Sequence, residues 1–109
     1  MIEAATAKLA SLTVGDVVAE RTVELSRDSL VRYAGASGDF NPIHYRDDVA
    51  ANMGLPGVLA HGMLTMGIAV ETASEWLGNE LAIERYGGRF TRPVLVDPET
   101  GATVLVVVK

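Results

Sequence analysis

Apolar and polar residues partly alternate from Val17 to Leu25, the period of a half-buried strand. Val14-Gly15-Asp16 reads as the turn leading into it. Ser26 then suits a helix N-cap, because its hydroxyl can accept a bond from a free first-turn N–H, and Asp28 in that turn complements the helix dipole. Leu30, Tyr33 and Ala34 line one face of the predicted helix, which Gly35 and Gly38 are expected to end. Gly38 to Tyr45 reads as an ordered loop stiffened by Pro42, and Asp47 to Met53 as a short helix closed by Gly54. The longest helical pattern runs from about His61 to Leu77. Met63, Met66, Val70, Ala73 and Leu77 recur along one face, and Leu64 and Ile68 add a second apolar face. Its first half is therefore expected to be buried, with Gly78-Asn79 as its stop.

Leu81 to Phe90 has strand-like residues interrupted at Gly87-Gly88, where a bulge is expected. Asp97-Pro98-Glu99-Thr100-Gly101 predicts a tight turn into an unbroken Val/Leu strand, Ala102 to Val108. About three strands result, a small sheet for a buried helix. So apolar a final strand makes a poor open edge, which implies a chain shortened at its C-terminus or a partner that covers it. Residues 1–12 are Ala-rich and weakly patterned, and are expected to form a flexible arm or short helix on a single domain spanning 1–109.

The chain has 109 residues, 49% of them hydrophobic, consistent with one domain. Its net charge of −5 and lack of a Lys/Arg cluster argue against nucleic-acid binding. Without cysteine there is no thiolate nucleophile, thiolate metal site or disulfide. No apolar run is long enough for membrane insertion, and the N-terminus has no secretory pattern, so a soluble cytoplasmic domain is expected.

Chemistry concentrates in Ser37-Gly38-Asp39-Phe40-Asn41-Pro42-Ile43-His44. A five-residue separation places Asp39 and His44 together only if the loop folds back on itself. An imidazole and a carboxylate sharing a site suit proton transfer, although the same residues also make a well-capped turn. Gly62 opens the long helix, where a free amide can receive an oxygen gaining negative charge; a glycine that merely permits close packing is the alternative. Ser37 and Asn41 can order the loop, and Tyr33 can pack with its hydroxyl near the site. His61 is read as a local hydrogen-bonding residue without a proton-transfer role. Arg85, Arg89 and Arg92 read as solvated surface residues, any of which can meet a phosphate. On a strand, Arg85 and Arg89 would share a face opposite Arg92. Phe90 is expected in the core, while Leu55, Val58 and Leu59 either border an acyl tunnel or pack the loop. With two histidines and no convincing further ligands, no metal is required.

Tyr33 to His44, continuing to Ala50, resembles the signature of the MaoC-like (R)-specific enoyl-thioester hydratase family. Ala60-His61-Gly62-Met63-Leu64-Thr65-Met66 is similar to the start of that family's central helix, and Arg89-Phe90-Thr91-Arg92-Pro93 to its following strand. The overall likeness is to short actinobacterial (3R)-hydroxyacyl-carrier-protein dehydratase subunits. The resemblance implies an α+β hot-dog fold, an antiparallel sheet wrapped around a long helix, here without the family's last strands. It implies reversible hydration of trans-2-enoyl thioesters of CoA or acyl carrier protein to (3R)-3-hydroxyacyl thioesters, without a cofactor. Asp39 and His44 take the catalytic positions, Gly62 the thioester-oxygen position and Ser37 the motif serine. A homodimer, or a heterodimer with another hot-dog subunit, is implied too. A non-catalytic acyl-thioester-binding or assembly subunit is the alternative.

Overall fold

The computed structural model describes residues 9–78 and 83–109. The alternating segment forms β1 (Ala19–Leu25) and the Val-rich segment forms β2 (Ala102–Val108). They pair antiparallel from Ala19↔Val108 to Leu25↔Ala102. The pleat turns Val23, Leu25, Val104 and Val106 inward, while Glu20, Glu24, Leu105 and Val107 face out. Across the outer face, the Thr103 hydroxyl donates to the Glu24 carboxylate over 2.8 Å. The predicted turn is present. The Asp97 carboxylate accepts the Glu99 and Thr100 amides, and these bonds hold its pKa below the usual carboxylate range.

Ser26 caps α1 (Arg27–Ser37) through a reciprocal arrangement: its side chain accepts the Ser29 N–H, and the Ser29 side chain accepts the Ser26 N–H. Ser26→Ala is expected to cost about 1 kcal/mol, measured as a lower urea midpoint at unchanged slope. Gly35 lies inside this helix, contrary to expectation; Gly38, at φ 80°, ends it. One interior glycine costs only about 1 kcal/mol, less than the packing of Leu30 and Ala34 returns. Arg27 donates to the Val96 carbonyl and forms a two-pronged bond with Asp47, tying the start of α1 to α2 (Asp47–Asn52). The guanidinium holds the Asp47 carboxyl below its usual range.

The long helix α3 (Gly62–Leu77) ends at Gly78 in the left-handed region. It packs on both strands, so the architecture is an α+β hot-dog-like fold: a central helix on an unclosed antiparallel sheet. The inward stripe is Leu64, Ile68 and Thr72, whereas Met63 on the expected principal face is 63% exposed. A helix apolar on two sides does not itself choose the side that meets the sheet. Thr72 is accommodated because its hydroxyl donates to the Ile68 carbonyl over 3.0 Å. At the rim, Arg21 of β1 reaches Glu71 and Glu75, 3.5 Å from each.

The described residues hold two strands rather than about three. Residues 83–90 adopt no regular structure, so the expected strand and its Gly87-Gly88 bulge are not formed there; Leu81 and Ala82 lie outside the described residues, as do Asn79 and residues 1–8 of the expected arm. Strand propensity without an adjacent ladder is insufficient. Residues 58–60 instead run against 94–96: Leu59 bridges Leu95, Ala60 N–H donates to Val94 and Val96 N–H to Val58. Leu25, Leu30, Val58, Ala60, Ile68, Val96 and Val106 form the core, which places Val58 wholly in packing. Phe90, expected in the core, is 59% exposed. No described helix is long and apolar enough to cross a membrane.

Candidate active site

After Gly38 turns the chain out of α1, side chains staple the loop to its own backbone. Ser37 Oγ accepts the Asp39 N–H, Asp39 Oδ1 accepts the Asn41 N–H, and Asn41 Oδ1 accepts the Ile43 N–H, at 3.1–3.2 Å. Pro42–His44 then forms a single 3-10 turn. Ser37 and Asn41 thus order the loop, and their side chains are used within it.

This path returns His44 to Asp39. His44 Nε2 lies 4.0 Å from Asp39 Oδ2; the imidazole is buried and the carboxylate about half-exposed. That separation exceeds a direct hydrogen bond but lets one oxygen approach both atoms at about 2.8 Å. His44 Nδ1 is 2.6 Å from the Leu59 carbonyl oxygen. A carbonyl only accepts, so Nδ1 carries a proton, and Nε2 is the ring nitrogen left to face Asp39. Leu59 is itself anchored, its N–H donating to the Ile43 carbonyl and its backbone bridging Leu95.

Gly62 is the first residue of α3 and so has no intrahelical acceptor for its N–H. The Phe90 ring covers its α-carbon: an added methyl would lie 3.0–3.3 Å from three ring atoms. An adjoining cleft of about 290 Å³ is bounded by Ala60, Gly62, Thr65, Phe90, Arg92 and Val94. Asp39 and His44 do not line this cleft. Arg85, Arg89 and Arg92 are all exposed, on a segment without the strand pleat that would sort them by face.

His61, read from the chain as a local hydrogen-bonding residue, is 1% exposed and caps α3 beside the pair. Its ring stacks on His44 at 3.8 Å and 19°, Tyr33 meets it in a T-shaped contact at 4.8 Å, and Nε2–H donates to the Asp39 carbonyl over 3.1 Å. Tyr33 therefore reaches the site as a packing ring. The usable signal for His61 was its place next to Gly62 at the helix start. Asp39, His44 and His61 each offer a ligand atom within 4.8 Å of the others. However, nearly parallel stacked rings direct their lone pairs side by side, so one ion at about 2.0–2.1 Å would not lie on both axes.

Known proteins resemble this chain. The family described as MaoC like domain matches residues 9–109. The 3-hydroxyacyl-thioester dehydratase X of Mycobacterium tuberculosis is 37% identical over 73 residues, covering 67% of this chain and 25% of that protein. A solved MaoC-like dehydratase superposes with a TM-score of 0.83 at 43% identity, over 88% of this chain and 30% of that one. The (R)-hydratase from A. caviae involved in PHA biosynthesis gives a TM-score of 0.58 at 29% identity, over 87% of this chain and 69% of that one. The chain thus spans a quarter of the length of the mycobacterial relative. With the signature loop, the central helix and nearly the whole length matched, the chain belongs to the MaoC-like family of hot-dog proteins.

Proposed function

We propose that this chain carries the acid–base half of a hydratase that reversibly hydrates trans-2-enoyl thioesters, borne on CoA or acyl carrier protein, to (3R)-3-hydroxyacyl thioesters. The observation that carries this reading is the 4.0 Å gap between Asp39 Oδ2 and His44 Nε2, the ring nitrogen not bonded to Leu59. A water held between them loses a proton to Nε2 as its oxygen bonds to C3. Asp39 delivers the relayed proton to C2. In net terms one water O–H bond breaks, C3–O and C2–H bonds form, and the double bond becomes single. Enolate-like charge on the thioester oxygen falls to the Gly62 N–H at the positive end of α3. The (3R) outcome rests on the likeness to the (R)-hydratase.

The outward Leu105 and Val107 of β2 favour a second hot-dog subunit, of the same or another kind, over this strand. The decisive experiment follows crotonyl-CoA hydration by the chain alone and with a candidate partner. Turnover supports the proposal; crotonyl-CoA binding without turnover in either state replaces it with a binding subunit. Gly62→Ala should leave folding intact, because the exposed Phe90 ring can swing aside. Its methyl obstructs the thioester approach, and kcat/KM should fall about tenfold or more, as read by the same assay.

A further inference from the structure

Residues 38–42 are mostly exposed and are bonded chiefly to their own neighbours in sequence. Among the described residues, the hydrogen bond that ties this stretch to a distant element is the one from His61 to the Asp39 carbonyl, 22 positions away. The same ring lies flat on His44 and meets Tyr33 in a T-shaped contact. One side chain thus touches both members of the acid–base pair, through a backbone carbonyl in one case and a ring face in the other.

Packing does not explain this residue type. With Nε2–H given to Asp39, the buried Nδ1 has no partner. A phenylalanine would fill the same space against His44 and Tyr33 without burying a bare nitrogen, which is destabilising. Glutamine would supply a donor but no flat face. Only a ring with an in-plane N–H serves both contacts.

We infer that His61 is a positioning residue that sets the Asp39–His44 separation, holding Asp39 by its carbonyl and His44 by its ring plane. This rests on the hydratase reading of that pair. His61 acts through the pair and does not touch the reacting atoms.

The test compares His61→Phe, which keeps the stack and loses the bond, with His61→Gln, which can keep the bond and loses the stack. Both are assayed in whichever assembly is active as wild type. His61→Phe should fold with an unchanged or higher melting temperature, yet lose about 10²-fold in kcat with KM within about twofold. His61→Gln should recover part of that loss. Placed on Asp39→Asn, His61→Phe should change kcat little further, because the group it positions is already disabled. Wild-type kcat in His61→Phe, or losses that multiply in the double variant, would overturn the inference. A second measurement needs neither turnover nor a folded variant. Imidazole ¹⁵N spectra of the wild-type protein should show His61 protonated on Nε2 and His44 on Nδ1. A His61 protonated on Nδ1 alone would have no bond to Asp39, which also overturns it. Absence of wild-type turnover defeats the hydratase reading, while the tautomer still reports whether His61 holds the loop.

Discussion

Asp39→Asn and His44→Gln are each expected to reduce kcat for crotonyl-CoA hydration by about 10²- to 10⁴-fold, the range of a positioned acid or base. Asparagine at 39 keeps an oxygen for the Asn41 N–H, so Asp39→Asn should melt close to the wild type. Glutamine at 44 gives up the ring stack on His61 and the Nδ1 bond to Leu59, so a lower melting temperature is expected there. A cooperative melt of each variant separates loss of chemistry from loss of structure. The double variant should be little worse than either single one, because the two groups act on one water. Asp28→Asn, which alters an exposed ion pair with Arg32 and one first-turn charge of α1, serves as a control and should retain activity. Full activity in folded Asp39→Asn and His44→Gln would remove the acid–base mechanism.

The largest effect on stability is expected at Gly101. It closes the Asp97 turn, with paired bonds of 3.0 and 3.1 Å, immediately before β2. Its φ is +71°, and an added Cβ would fall 2.2 Å from the Leu25 carbonyl oxygen. That oxygen is backbone, at the junction of β1 with the Ser26 cap, so no side chain can swing away. Relief must come from shifting the strand end or opening the turn, next to the core residue Leu25. Gly101→Ala should cost about 3–5 kcal/mol, among the larger single-residue effects. Against a total of about 5–15 kcal/mol, this lowers the melting temperature by well over 10 °C. Gly54→Ala isolates the cause. Gly54 has a similar φ of 75° but nothing within 4 Å of its Cβ position. It bears the backbone strain alone, about 1–2 kcal/mol. Equal urea midpoints for the two variants would show that the Leu25 contact is unimportant.

Much of the fold was legible wherever one short stretch held all the physics. β2 and its turn were readable because Asp97, Pro98 and Gly101 each suit a particular turn position, and β1 because its alternation survives in the burial pattern. The segment 83–90 failed for the opposite reason: its residues favour a strand, but among the described residues no ladder runs beside it. The face chosen by α3 was illegible because two apolar stripes compete and the sheet decides between them. In the site, the fold-back of the loop was readable from Gly38, Asn41 and Pro42. The tautomer of His44 was not, since the Leu59 atom that sets it is a carbonyl, which every residue carries.

Taken alone, the sequence determined the local events: where α1 starts, where α3 starts and stops, how the Asp39 loop turns, and that a glycine opens the central helix. Caps, turns and periodicity act within a few residues, so their causes are written next to their effects. The tertiary structure decided the distances that chemistry requires. It set the 4.0 Å gap between Nε2 and Oδ2, the proton on His44 Nδ1, and the placement of His61 against both partners. These depend on groups 15 and 22 positions apart, brought together by pairing 58–60 with 94–96 and by seating the start of α3 against the loop. No local pattern encodes that approach, because it exists only once the core has packed.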